Sequence, residues 1–141
     1  MEPGIKTTIT VQNTINAPVD KVWEYWTGAG HIMKWNNASD DWHTTRAEND
    51  LHAGGSFVSR MEAKDGSFGF DFGGVYDQVI PNQYIEYTLG DARKVKITFI
   101  QLDTQTMVTE TFEAESTHSI ELQQAGWQAI LDNFKKYTET H

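Results

Sequence analysis

The sequence predicts an α+β fold in which a curved antiparallel sheet of about six or seven strands surrounds a long C-terminal helix. The middle of the chain alternates apolar and polar residues at the period of a strand, and turn residues interrupt it at short intervals. The last segment changes to the helical period. With 141 residues, the chain is expected to form one domain over residues 1–141, because a domain of this size buries a sizeable core.

The first quarter of the chain predicts one strand followed by two short helices. Alternation over residues 5–15 indicates a strand with one buried face. An apolar stripe at helical spacing then predicts a helix that ends near Gly28. A second short helix over residues 30–37 is expected to present Met33 and Trp35.

The remaining strands are predicted to form a meander. Asp65-Gly66 marks its clearest hairpin, because this dipeptide favours a tight turn between two strands. The paired glycines Gly73-Gly74 are expected to bend the second arm of that hairpin. The predicted strands cover residues 44–48, 56–64, 67–80, 84–89, 94–102 and 107–114. Alternation groups Phe57, Ser59, Met61 and Ala63 on a face of the first arm and Phe68, Phe70 and Phe72 on a face of the second.

The final segment predicts a helix from about residue 119 to near residue 138. At 1.5 Å per residue such a helix is about 30 Å long, which is enough to cross a small domain. Gly126 lies inside it, where glycine costs roughly 1 kcal/mol relative to alanine, so we expect close packing or a local bend there. The apolar stripe of this helix consists of Ile120, Trp127, Ile130, Leu131 and Phe134.

The composition disfavours several kinds of partner. A formal net charge of -9 would repel a phosphate backbone and an anionic lipid surface, so no nucleic acid partner is expected. No apolar run approaches the roughly 20 residues of a membrane helix, and no secretory signal is recognised. We therefore expect a cytoplasmic protein without membrane insertion. The absence of cysteine excludes disulfides, thiolate metal sites and cysteine nucleophiles.

The sequence gives no indication of a metal or cofactor site. Its five histidines lack the spacing of metal ligands, and its glycine pairs lack the Lys and Ser/Thr of a phosphate loop. No serine lies in the elbow motif of a serine hydrolase. His43 could reach the mouth of a cavity, although a lone histidine at the start of a strand is more often a surface residue.

Several stretches, in this order, resemble a known superfamily over nearly the entire chain. NAPVDKVWEYWT resembles the first strand-to-helix junction of the START-like, polyketide-cyclase superfamily, often abbreviated SRPBCC. Four later stretches resemble the branch of this superfamily that is named after the activator of the heat-shock protein 90 ATPase. They are HAGGSFVSRMEAKDGSFGFDFGGVYDQV, GDARKVKITF, TETFEAE and QQAGWQAILDNFKKY. The resemblance implies the helix-grip fold, also called START-like or birch-pollen-allergen-like.

The resemblance also implies an internal cavity, which relatives use for lipids, sterols, polyketides or other small apolar molecules. The eukaryotic activator that gives the branch its name resembles this chain only in its C-terminal domain. We see no room here for the separate N-terminal domain that accompanies it, which disfavours a chaperone partner.

Aromatic and other soft side chains are expected to surround the internal space of such a fold. For any one of them ordinary core packing is the commoner role, because protein interiors are close-packed. The polar candidates to fix a ligand are Glu110, Ser59, Tyr87 and His43. The predicted cavity residues are Trp35, Trp42, Phe57, Met61, Phe70, Phe72, Tyr87, Phe99, Glu110, Phe112, Trp127 and Ile130.

Glu110 is the candidate catalytic residue, since strand alternation places it on the same face as Val108 and Phe112. If its side chain points into the cavity, loss of water would raise its pKa and make it a proton donor, a general base or a ligand anchor. The alternative is a carboxyl at an open end of the sheet, wet or paired with a cation. That alternative is favoured, because buried unpaired carboxylates are rare.

Three functions remain open from the sequence. The favoured one is binding of a small hydrophobic ligand, as a carrier or sequestering protein. The second is an enzyme of the cyclase or hydrolase kind, in which Glu110 and a nearby His43 or Tyr87 move protons. The third is an interaction module for a chaperone or other protein, which the outward polar residues Arg60 and Glu62 disfavour. An exposed edge strand could also support a homodimer.

Overall fold

The computed structural model describes residues 7–141. In this range seven strands form one antiparallel sheet, and there are three helices. The predicted α+β helix-grip fold is confirmed. In chain order the elements are β1 (Thr8–Ile15), α1 (Val19–Thr27), α2 (Ala29–Trp35), β2 (Trp42–Asn49), β3 (Ser56–Ala63), β4 (Gly69–Ile80), β5 (Tyr84–Leu89), β6 (Lys94–Leu102), β7 (Gln105–Glu113) and α3 (Ile120–Thr140).

The sheet is a meander with one exception to the sequential order. Its strand order is β1-β7-β6-β5-β4-β3-β2, so β1 pairs with the last strand and the two edges are β1 and β2. The homodimer that an exposed edge would support stays a prediction. The part of the predicted first strand at Ile5 lies outside the described residues.

The long helix α3 lies along β1 and is held to it by polar contacts. Asn13 donates to the Asp132 carboxylate over 2.8 Å, and Lys135 donates to the Thr14 carbonyl over 2.6 Å. Asn133 of α3 donates to the Trp35 carbonyl at the end of α2 over 2.8 Å. These contacts hold the helix near one edge of the sheet. The curved sheet lies opposite its inner face.

The apolar core lies where α1, α2 and α3 meet β1, β5, β6 and β7. The first strand buries Ile9, Val11 and Ile15, as alternation predicts. The largest fully buried side chains of this region include Val22, Ile97, Val108, Phe112, Leu131 and Phe134. Among the residues that the structure describes, no helix is both long and apolar enough to cross a membrane.

The helical stripes extend less far than the sequence predicts. Met33 and Ile120 are 38% and 40% exposed, so neither belongs to the core. Close packing does not explain Gly126, because a Cβ atom there would meet nothing within 4 Å.

The predicted bend at Gly73-Gly74 takes a different form. Both glycines keep regular pairing with β3, and the break in register falls between Tyr76 and Gln78, where β4 meets β5. A Cβ atom on Gly74 would lie 2.2 Å from the Thr88 carbonyl oxygen, and one on Gly73 would lie 2.5 Å from a β3 carbonyl oxygen. Glycine is needed here because the backbones of neighbouring strands approach so closely.

Candidate ligand-binding site

A cavity of about 230 Å³ lies between α3 and the inner face of the sheet. Strands β3, β4, β5 and β7 form one wall, helix α3 forms another, and α1 and α2 close the space from the side. The lining residues are Trp26, Ile32, Trp35, Asn36, Phe57, Ser59, Met61, Phe70, Phe72, Tyr76, Ile85, Tyr87, Glu110, Trp127 and Ile130.

Most of the residues predicted from the sequence line this cavity. The hairpin arms contribute because Ser59 pairs with Phe72 and Met61 pairs with Phe70, which puts all four side chains on one face. The predicted residues in the wall are Trp35, Phe57, Met61, Phe70, Phe72, Tyr87, Glu110, Trp127 and Ile130.

Three predicted residues lie elsewhere. Phe99 packs edge-on against Trp23, with ring centroids 5.2 Å apart, in the core between β6 and α1. Phe112 stacks on Trp127 at 3.8 Å, so the indole separates it from the cavity. Trp42 lies near the β3–β4 hairpin, with its ring 6.0 Å from that of Phe70. Strand alternation predicts which face these residues occupy but not their distance from the cavity.

The sequence analysis missed five lining residues. Tyr76 continues the period of Phe72 along β4, and Ile85 precedes Tyr87 by two residues, so strand alternation could have identified both. The other three, Trp26, Ile32 and Asn36, come from α1, α2 and the residue after α2. The local sequence does not predict how these two short helices sit against the sheet.

Glu110 is buried in the cavity wall without a partner. The residue is 4% exposed and lies between Val11 of β1 and Ile97 of β6 in the sheet. No described residue forms an ion pair or a hydrogen bond with its carboxyl. Burial raises its pKa to about 8, so the carboxyl is mostly protonated at neutral pH. The favoured expectation of a wet or paired carboxyl is therefore wrong.

Two hydroxyl groups share the cavity wall with Glu110. Tyr87 is 7% exposed and Ser59 is 5% exposed, and neither hydroxyl forms a hydrogen bond with a described residue. Burial, and after it the nearby Glu110, raises the pKa of Tyr87. Tyr76 differs, because its hydroxyl donates to Asn49, which in turn donates to the Thr27 carbonyl. The cavity therefore contains polar groups that the protein itself leaves unsatisfied.

The proton-transfer pairs proposed from the sequence are absent from the described residues. His43 does not line the cavity, and it pairs across the strands with Glu62, whose side chain points outward. Tyr87 forms no hydrogen bond with Glu110. Over residues 7–141, no three His, Asp or Glu side chains lie close enough together to hold a metal ion.

A curved sheet around one long helix, with an apolar cavity between them, defines a protein of the helix-grip, START-like class. Residues 16–139 match the family described as Activator of Hsp90 ATPase homolog 1-like protein. The chain belongs to this family. Proteins of this family and fold typically bind hydrophobic ligands. A comparison with curated proteins finds no match.

Solved structures agree with this assignment. An AHSA1-like protein from Aeromonas hydrophila is 43% identical, with a TM-score of 0.90 over 95% of this chain and 93% of that chain. A protein from Cytophaga hutchinsonii is 56% identical, with a TM-score of 0.82 over 94% of this chain and 92% of that chain. A protein from Chromobacterium violaceum, at 22% identity and a TM-score of 0.85 over 94% of this chain and 98% of that chain, shares the fold.

Proposed function

We propose that this protein binds a small hydrophobic molecule in its internal cavity, as a carrier or sequestering protein. The cavity of about 230 Å³ beneath α3 is the observation that carries the proposal. An engineered apolar cavity of about 150 Å³ is enough to bind benzene. Scaled by volume, the present cavity would hold a ligand of roughly nine or ten non-hydrogen atoms.

The character of the wall supports an apolar ligand with some polar content. Aromatic rings from six elements, α1, α2, β3, β4, β5 and α3, face the space, including Trp26, Trp35, Phe72 and Trp127. Such rings offer large contact areas at low conformational cost, and a few polar groups among them fix the orientation of a ligand. Glu110, Tyr87 and Ser59 are the polar groups available for that role.

The two other functions have less support. An enzyme using Glu110 would need a second proton-transferring group within hydrogen-bond reach, and Glu110 has none among the described residues. A chaperone-docking module would need a continuous apolar patch on the outer sheet face. The exposed apolar residues Val75 and Ile100 lie on the separate strands β4 and β6, and the exposed Phe68 and Phe70 form a small local pair at the β3–β4 hairpin.

The test is to block the cavity without disturbing the fold. Ser59→Phe would fill part of the cavity, while Val58→Phe would place the same ring on the other face of the same strand. The proteins are purified from a producing host and denatured, and released small molecules are identified by mass spectrometry. We expect a stoichiometric apolar molecule from the wild type and from Val58→Phe, and its loss from Ser59→Phe.

Circular dichroism provides the control for folding of both variants. Equal recovery of the molecule from Ser59→Phe and Val58→Phe would contradict binding in this cavity. The absence of any stoichiometric molecule from the wild type would contradict the carrier function.

A further inference from the structure

The cavity wall contains polar groups that have no hydrogen-bond partner within the described part of the protein and that face the cavity, where water or a ligand can reach them. Buried polar side chains are nearly always hydrogen-bonded, and leaving one unsatisfied is costly. Glu110, Tyr87 and Ser59 are at least nine-tenths buried, line the same space and have no hydrogen bond with a described residue. A pure hydrocarbon would leave all three unsatisfied. A ligand with polar atoms would not.

The charges around the cavity indicate that this ligand is uncharged. No described Lys, Arg or His side chain lines the space, so an anionic ligand would meet an acidic group and no cation. An ammonium group would require Glu110 to ionise, and both charges would then lose water in an apolar interior. The attraction between such buried charges often fails to compensate for that loss.

The direction of the hydrogen bond between Glu110 and the ligand follows from the protonation of Glu110. A carboxylic acid that is kept neutral by an apolar site acts as a hydrogen-bond donor. We propose that the cavity takes an uncharged ligand whose carbonyl oxygen accepts a hydrogen bond from the protonated Glu110 side chain, with the Tyr87 and Ser59 hydroxyls available to the same molecule. This inference rests on the proposed function and names the chemical class of the ligand.

Other titratable groups do not compete with Glu110 for this role. The phenols of Tyr76 and Tyr87 are the other titratable groups in the wall, and burial raises the pKa of both. Among the titratable groups of the wall, Arg93 affects the pKa of Tyr87 only, and more weakly than Glu110 and Tyr76 do. The parts of α1, α2 and α3 that line the cavity contribute no titratable side chain. A change of ligand affinity between neutral and mildly alkaline pH would therefore report on Glu110.

A series of four probes of nearly equal size tests the proposal. They are 1-tetralone with a carbonyl, tetralin without a polar atom, 1-aminotetralin as an ammonium and 3-phenylpropanoate as an anion. Binding to the whole protein is measured by titration calorimetry. At about pH 6.5 we expect 1-tetralone to bind at least about tenfold more tightly than each of the others.

The pH profile and two variants identify the donor. Affinity for 1-tetralone should fall roughly tenfold between about pH 7 and about pH 9, as Glu110 loses its proton. Glu110→Gln keeps a neutral donor, so it should retain binding and lose this pH dependence. Glu110→Met, which has a similar size and no donor, should lose most of the preference for 1-tetralone over tetralin, because only the Tyr87 and Ser59 hydroxyls remain to bind the carbonyl.

The outcomes separate the inference from the proposed function. Tetralin binding as tightly as 1-tetralone to the wild type would overturn the inference and leave an apolar carrier. Tighter binding of 1-aminotetralin, with affinity that rises with pH, would overturn it in favour of a carboxylate that binds amines. If no probe binds, the inference is overturned, and the molecules released from the purified protein then decide the proposed function.

Discussion

Burying the Glu110 carboxyl without a partner costs free energy that a leucine at the same position would not. The protein limits this cost by keeping the group protonated, since the neutral acid loses far less hydration than the carboxylate. The same protonation makes the side chain a donor inside the cavity. Under the proposed function, this residue weakens the fold but provides a hydrogen-bond donor for a ligand.

Glu110 should make the stability of the protein fall as pH rises. Burial raises its pKa from 4.5 to about 8, so between these values the unfolded state loses a proton that the folded state keeps. The contribution of Glu110 to the free energy of unfolding is then greatest below about pH 4.5. It falls by up to about 1.4 kcal/mol per pH unit between about pH 4.5 and about pH 8, and it is constant above about pH 8. Glu110→Gln should remove this slope, and urea unfolding at about pH 5.5 and about pH 8.5 measures it. An identical slope in the variant would contradict the assignment to Glu110.

At the scale of single elements, α3 and β4 use glycine for different reasons. A Cβ atom on Gly126 in α3 would contact no neighbour, whereas a Cβ atom on Gly74 in β4 would clash with the backbone of Thr88 in β5. The sequence alone presents both as glycines inside regular structure. Only the surroundings distinguish a helix-weakening residue from one that the sheet requires.

Gly126→Ala should raise the free energy of unfolding by about 1 kcal/mol, because alanine favours the helix and its Cβ meets no neighbour. Gly74→Ala is the matched comparison and should lower stability by several kcal/mol, since the added Cβ would lie 2.2 Å from the Thr88 carbonyl oxygen. Denaturant unfolding of both variants measures the difference. A destabilised Gly126→Ala would indicate that the glycine serves the cavity or its entrance.

The start of α3 depends on a side-chain cap. The Ser119 hydroxyl accepts a hydrogen bond from the Leu122 backbone N–H over 3.1 Å, which satisfies one of the free donors of the first turn. Ser119→Ala should therefore cost about 1 kcal/mol of unfolding free energy, and Ser119→Asp should restore most of it. Thermal and urea unfolding check both values. A neutral Ser119→Ala would show that the first turn of α3 contributes little to the fold.

Over the whole molecule, the net negative charge destabilises the compact folded state. The chain carries 20 acidic and 11 basic residues, and its ion pairs lie mostly at exposed positions, where each contributes little. The excess negative charge repels itself in the folded state. The apolar core and the cavity wall must compensate for that repulsion.

Salt should therefore stabilise the protein. Raising NaCl from about 0.02 M to about 0.2 M at about pH 7.5 should increase the unfolding free energy by about 1 kcal/mol, because screening weakens the repulsion. Near the isoelectric point of about 4.8 the same addition should have a smaller effect. Urea unfolding at both salt concentrations and both pH values measures this. An equal effect at the two pH values would point to ion exclusion instead of screening.

The order and type of the elements could be predicted from the sequence, because hydrophobic period and turn chemistry are local properties of the chain. Residues 84–89 and 94–102 were predicted as strands with the bounds that the structure has. Alternation also places Glu110 on the same face of its strand as Val108 and Phe112, which are both buried. These features need only backbone hydrogen bonding and the burial of one face.

Which inward side chains line the cavity and which fill the core could not be predicted from the sequence, because this depends on how the folded elements pack. Phe112 and Glu110 share a face of β7, yet the Trp127 indole covers the first and leaves the second open to the cavity. That difference depends on the position of α3 over the sheet and on the sheet's curvature, which arise from contacts between residues far apart in sequence. No local pattern encodes them, and for the same reason the unpaired state of Glu110 became visible only in the folded protein.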